Sequence, residues 1–152
     1  MIRKMSVSTR FLVASAAIAS LAAFAVVPAG SATSPRTGAL HLAKECSKYK
    51  GAAGDYCTIV RSNVDAIKAG SRVYYLAALK GDSFDGDVML YAGHGNAAFG
   101  HCKVNVSTAV GRCTFGGGVG QFKDFNASVV VSADPNHDLG ALWDGTFSFG
   151  TR

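Results

Sequence analysis

The stretch that decides the fold reads HCKVNVSTAVGRC and spans residues 101–113. In its first half, apolar and polar side chains alternate, so that Cys102, Val104 and Val106 share one face. A period of two with one apolar face is typical of a half-buried antiparallel strand. We therefore expect an antiparallel strand here, and similar runs elsewhere in the chain extend this expectation to an all-β domain.

The four cysteines predict two local disulfides. Folding residues 101–113 at their midpoint places Cys102 opposite Cys113, and the Cβ atoms of opposed residues lie roughly 4.5–5.5 Å apart. A disulfide needs about 3.5–4.5 Å between these atoms, so a small local adjustment closes the bond. Cys46 and Cys57 enclose the same number of residues and are expected to pair in the same way. The sequence lacks the close cysteine pairs of a zinc site, so we expect no metal and no cofactor.

Short β-like runs separated by glycine-rich turns fill the chain from residue 40 to residue 149. The expected strands are Leu40–Lys44 (the weakest), Asp55–Ser62, Arg72–Leu79, Val88–Tyr91, His101–Ser107, Arg112–Phe115, Phe125–Ser132 and Leu142–Phe149. A single helical turn is expected at Val64–Ala69, and a hairpin turn at Lys80–Gly86. The glycine run at residues 116–120 leads into a strand, so we expect a bulge or a barrel corner there. This number of strands fits either a sandwich or a closed barrel.

Two of the expected strands are apolar on both faces. Val73–Leu79 and Val88–Tyr91 carry large apolar side chains at odd and even positions alike. A barrel has only one inside, and contiguous apolar patches are uncommon on the surfaces of soluble monomers. The outer faces of these strands therefore need cover from another element or a neighbouring subunit, and we expect a homo-oligomer.

The first 32 residues have the order of a secretory signal peptide. A basic stretch, Met1–Arg10, precedes the uncharged run Phe11–Val27, and small residues follow up to Ala32. A transmembrane anchor needs roughly 20 apolar residues, which is more than this run supplies. We expect cleavage after Ala32, or alternatively after Ala29. Residues 33–152 then form one secreted domain without a membrane segment.

The charge of the expected mature chain is close to balanced. Residues 33–152 contain 12 basic and 10 acidic side chains, because Arg3, Lys4 and Arg10 belong to the signal peptide. A nucleic-acid-binding protein is expected to carry a dense basic patch. The lysines and arginines are scattered singly along this chain, so we expect no nucleic-acid partner.

A framework of glycines and aromatic residues carries a family resemblance. It includes GHC at residues 100–102, GRCTF at 111–115, GGVGQF at 117–122, FNA at 125–127 and WDGTFSF at 143–149, with DYCTI at 55–59 upstream. With these motifs, residues 40–150 resemble secreted actinobacterial proteins of the allene oxide cyclase barrel-like group, which are distantly similar to dirigent proteins. The resemblance implies an eight-stranded antiparallel barrel with a hydrophobic interior. The plant cyclases close an unsaturated epoxide in such a barrel, and dirigent proteins orient phenoxy radicals.

Three functions are compatible with this reading. The first is a secreted barrel that binds a small apolar ligand or acts as a non-enzymatic extracellular factor. The alternatives are a cyclase or isomerase that shapes a reactive apolar substrate, and a structural or inhibitory exoprotein with a filled barrel. His94 and His101 lie on either side of residues 95–100, and we expect them to be ordinary surface or loop histidines; the alternative is that they converge near a barrel mouth. The expected ligand-binding residues are Tyr75, Tyr91, His101 and Trp143, and no catalytic residue is assigned.

Overall fold

Eight strands, each antiparallel to the next, form a closed barrel in the computed structural model, which describes residues 36–150. They are β1 (Thr37–Glu45), β2 (Tyr56–Ser62), β3 (Arg72–Tyr75), β4 (Ser83–Tyr91), β5 (Ala97–Asn105), β6 (Val110–Val119), β7 (Phe125–Ala133) and β8 (Gly140–Phe149). The last strand, β8, pairs with β1 along its whole length and closes the sheet. The barrel is therefore confirmed against the sandwich. The expected signal peptide, residues 1–32, lies outside the described residues.

Both expected disulfides are present. Cys102 and Cys113 pair directly across β5 and β6, and Val104 lies opposite Gly111, which is the register that the sequence predicts. The second bridge joins Cys46, just after β1, to Cys57 in β2. Because disulfides persist in oxidising compartments, the two bridges fit an extracellular protein.

The boundary between β3 and β4 differs from the expectation. β3 already ends at Tyr75, and β4 begins at Ser83, inside the segment Lys80–Gly86 that the sequence predicts as a turn. Phe84 and Gly86 are buried on the inner face, whereas Asp85 is exposed on the outer face. The aspartates of this segment thus occupy the polar face of a strand, and their density is what made the segment resemble a loop.

The glycine run after Phe115 forms the bulge that the sequence predicts. Opposite Ala98 and Gly100 of β5, the paired residues of β6 are Gly118 and Phe115, so β6 holds one extra residue here. Gly117 has a φ of 86°, in the left-handed region that favours glycine. The bulge allows β6 to bend around the barrel.

The two ends of the barrel differ. At the end where β2 leads to β3 and β6 leads to β7, the connections insert the buried side chains of Val64, Ile67 and Phe122 into the core. We call this the closed end. The segment Val64–Ala69 contains one hydrogen-bonded turn, in which Ile67 N–H donates to Val64 O at 2.8 Å, and this turn is not assigned as a helix. At the opposite end, the open end, the connections at residues 46–55, 76–82, 106–109 and 134–139 surround a cavity.

Several large apolar side chains remain on the outer wall. They include Leu76, Tyr91 and Phe99, which are 49%, 40% and 43% exposed. The expected homo-oligomer would cover this region, and it stays a prediction. Among residues 36–150, no helix has the length and apolar character needed to cross a membrane.

Candidate functional site

The cavity at the open end is the mouth of the barrel lumen. Its volume is about 450 Å³, within the range of roughly 300–1,000 Å³ that is typical of small-molecule sites. Its inner part is formed by inward-facing strand residues: Lys44, Cys57, Tyr75, Val104, Val131 and Ala141. Tyr49, Leu79 and Val106 add apolar walls, while Lys50 and His137 lie among the exposed residues at the rim. The cavity therefore combines a mainly apolar wall with a lysine in its depth.

The register of β1 explains why Lys44 points inward. Side chains along a strand alternate between the two faces, so Leu40, Leu42 and Lys44 share one face. Leu42 pairs with the buried Trp143 of β8, and Lys44 pairs with Ala141. The pattern that buries two leucines thus also buries the lysine, which is only 3% exposed.

The ammonium group of Lys44 lies among aromatic side chains. Its Nζ donates a hydrogen bond to Tyr75 Oη at 2.5 Å. It also lies 4.2 Å from the centroid of the Trp143 ring and 5.2 Å from that of Tyr75. Aromatic faces attract a cation but do not neutralise it. Within residues 36–150, no carboxylate pairs with Lys44.

Burial changes the acid–base behaviour of this pair. Desolvation lowers the pKa of Lys44 from 10.5 to about 7, because the charged form loses its hydration. Burial, and then the nearby Tyr49, raise the pKa of Tyr75 above its usual value. At neutral pH, a large share of Lys44 therefore carries a free lone pair, while Tyr75 keeps its proton.

Two buried polar atoms near Lys44 have unused hydrogen-bonding capacity. Within the described part of the chain, Tyr49 Oη and Trp143 Nε1 have no hydrogen-bond partner. The Tyr49 ring lines the cavity and packs against Tyr75 with a centroid distance of 4.4 Å. An unsatisfied buried donor typically costs about 1–3 kcal/mol. Both atoms are buried beside the pair formed by Lys44 and Tyr75, so the interior around this pair is not fully satisfied.

The predicted site residues fall into two groups. Tyr75 and Trp143 are both buried inside the barrel. Tyr75 lines the open-end cavity, whereas Trp143 packs against Lys44 and Phe115 and does not line it. Tyr91 and His101 lie on the outer wall, because their positions in β4 and β5 have the outward parity. His94 is exposed in the turn between β4 and β5, and His101 is exposed within β5, so both are surface histidines as expected and the alternative of convergence at a barrel mouth does not hold. The sequence reasoning missed Lys44.

His101 belongs to a charged cluster on the outer wall. Its two ring nitrogens lie 2.9 Å from Asp87 Oδ1 and 2.8 Å from Asp85 Oδ1. Lys103 Nζ lies 2.9 Å from Asp85 Oδ2. Hydrogen bonds to Asp87 and Asp85 raise the pKa of His101, and those from Lys103 and His101 lower the pKa of Asp85. These groups satisfy one another at the surface and do not reach the lumen.

A second depression lies at the closed end and includes Tyr91. Its volume is about 1040 Å³, and exposed side chains such as Lys68, Arg72 and His94 form much of its wall. Exposed polar groups are already hydrated and gain little from contact with an apolar molecule. The cavity around Lys44 is therefore the stronger candidate site.

No family model, curated protein or solved structure matches this chain. The resemblance to the allene oxide cyclase barrel-like group stays a prediction.

Proposed function

We propose that the protein is secreted and binds a small, mainly apolar molecule in the cavity at its open end. The molecule would place an acceptor group, such as a carboxylate or a carbonyl oxygen, against Lys44. The observation that supports this proposal is the burial of Lys44 at the inner end of a mainly apolar cavity, where no carboxylate of residues 36–150 pairs with it.

Energetics favour such a ligand. Burying an unpaired charge is costly, and proteins usually compensate it with a partner of opposite charge. An anionic head group next to Lys44 would supply that partner, and its apolar tail would lie against Leu79, Val104 and Val106. Both contributions act in the same orientation, with the head inside and the tail toward the mouth.

The alternatives make different use of the same lumen. A cyclase or isomerase would use Lys44 and Tyr75 to move a proton on a reactive substrate, which their hydrogen bond at 2.5 Å permits. A filled barrel with a structural or inhibitory role would leave the cavity without a ligand. The packed middle of the lumen, with Phe84 and Phe115 buried, limits any ligand to the open end.

Intrinsic fluorescence tests this proposal, because Trp143 is the only tryptophan and lies beside Lys44. Octanoate and 1-octanol, which do not absorb in the tryptophan region, serve as probes. We expect a saturable change of Trp143 fluorescence with octanoate. Lys44→Met should weaken octanoate binding at least about tenfold, since a hydrogen bond to a charged group is worth about 1.5–3 kcal/mol.

Lys103→Met is the matched control, because Lys103 is exposed on the outer wall. It should leave octanoate affinity unchanged. Equal weakening by both substitutions would contradict a site at Lys44. The absence of any saturable signal with either probe would favour the filled barrel.

A further inference from the structure

We propose that Lys44 captures carbonyl compounds covalently, with its Nζ condensing with an apolar aldehyde or ketone in the open-end cavity to form an imine. This inference rests on the proposed function, because the carbonyl compound occupies the same cavity as the ligand. It names the chemical class that the site accepts and adds a bond-forming step.

The surroundings of Nζ favour a nucleophilic amine. Lys44 is 3% exposed and lines the cavity, so a molecule inside the cavity reaches its nitrogen without crossing bulk water. In the described part of the chain, its one hydrogen-bond partner is the neutral hydroxyl of Tyr75. A carboxylate would hold the amine in its protonated form, and none pairs with it there. The pKa of about 7 that burial gives Lys44 agrees with this geometry.

The condensation needs no oxidant or reductant. The lone pair of neutral Nζ attacks the carbonyl carbon, and one proton moves from nitrogen to the former carbonyl oxygen to give a carbinolamine. The C–O bond then breaks, the oxygen leaves as water with the second proton of the nitrogen, and a C=N bond remains. Amine and carbonyl compound thus yield an imine and one molecule of water.

Tyr75 is placed to assist the proton transfers. Its Oη lies 2.5 Å from Nζ, so a carbonyl carbon in bonding contact with Nζ brings the carbonyl oxygen close to this hydroxyl. Burial keeps Tyr75 protonated at neutral pH, so it has a proton to donate to the departing oxygen.

The cavity selects carbonyl compounds by polarity and shape. Its walls near Lys44 include Leu79, Val104 and Val131, which offer contacts to a hydrocarbon chain. Hydrophilic aldehydes such as open-chain sugars would lose hydration there without compensation. A straight-chain alkyl aldehyde is therefore the appropriate probe.

The test is reductive trapping of octanal on the full protein. Octanal is added with cyanoborohydride near pH 7, and the octyl-modified lysines are located by peptide mapping. We expect Lys44 to be modified at least about tenfold faster than the exposed lysines, because an exposed lysine has a pKa near 10.4 and is almost fully protonated at this pH. An excess of 1-octanol should slow modification of Lys44 and leave Lys103 unaffected.

Lys44→Arg retains a cation and removes the nucleophile, whereas Lys103→Arg is the matched exposed control. Native mass spectrometry without reductant should show an adduct of octanal minus water in the wild type and in Lys103→Arg, and none in Lys44→Arg. Uniform modification of all lysines, or an unmodified Lys44, would overturn the inference. If octanoate still binds in that case, the proposed function stands, and loss of both signals overturns both. The wild-type peptide map decides the matter even if Lys44→Arg does not fold.

Discussion

At the scale of single residues, Lys44 shows what the sequence could and could not predict. The alternation Leu40, Leu42, Lys44 is visible in the sequence, and the segment was expected to be a strand, although the weakest one. A lysine at the end of a short strand is normally hydrated, so its burial could not be predicted from this alternation. Burial depends on the pairing of β1 with β8, which lies a hundred residues further along the chain and becomes apparent only in the closed barrel.

The buried amine predicts a dependence of stability on pH. The folded-state pKa of Lys44 is about 7 and its ordinary value is 10.5. Below pH 7 the residue is charged in both states and the full cost of burial is present. Between these two values the unfolded chain binds more protons, so the contribution of Lys44 to the free energy of unfolding increases with pH.

Lys44→Met removes this contribution. Because one pKa unit corresponds to about 1.4 kcal/mol, the full cost of burying charged Lys44 is roughly 4–5 kcal/mol. The aromatic contacts recover part of this cost. We therefore expect Lys44→Met to raise the free energy of unfolding by about 2 kcal/mol near pH 6. The gain should shrink toward pH 10. Urea denaturation of wild type and variant at both pH values measures it, and an identical difference at both would contradict the burial of a charged Lys44.

At the scale of elements, local pairing was predictable and strand ends were not. The register of β5 and β6 follows from two cysteines and an alternating pattern within one short stretch, so it is encoded locally. The end of β3 and the start of β4 depend on which face of Ser83–Asp87 meets the core, and this is decided by the neighbouring strands. Polar residues on an outer face and polar residues in a loop look alike in one sequence.

Gly145 permits the close approach of β7 and β8. A Cβ atom at Gly145 would collide with the carbonyl oxygen of Ser128 and lie 2.8 Å from Val129 Cα, both of which are backbone atoms of β7. Gly145→Ala must therefore push the two strands apart, and we expect a loss of about 1–3 kcal/mol in the free energy of unfolding. Gly116→Ala is the control, because its Cβ would meet nothing within 4 Å. Chemical denaturation compares them, and equal losses would show that the clash is not the cause.

At the scale of the whole molecule, the side chains that close the barrel and the proposed binding cavity lie at different ends. Phe122 closes one end and contacts Phe125 with a ring-centroid distance of 5.2 Å, whereas the cavity with Lys44 is at the other end. We expect Phe122→Ala to lower the free energy of unfolding by about 3 kcal/mol and to leave octanoate affinity unchanged. Lys44→Met should have the opposite effects: it should weaken octanoate binding and raise the free energy of unfolding. Denaturation and Trp143 titration on both variants check this, and a loss of affinity in Phe122→Ala would refute the separation.

The side chains of Val64, Ile67 and Phe122 close the lumen at one end, so it is accessible only from the other. If the proposed ligand binds there, it has to enter with its head group first and leave by the same route, because the packed interior blocks passage through the barrel. The head group then contacts Lys44 at the inner end of the cavity, where space is limited, and a long tail can extend beyond the rim. A cavity of this kind would discriminate strongly among head groups and weakly among tail lengths. Ligands that share a head group and differ in tail length would therefore have similar residence times.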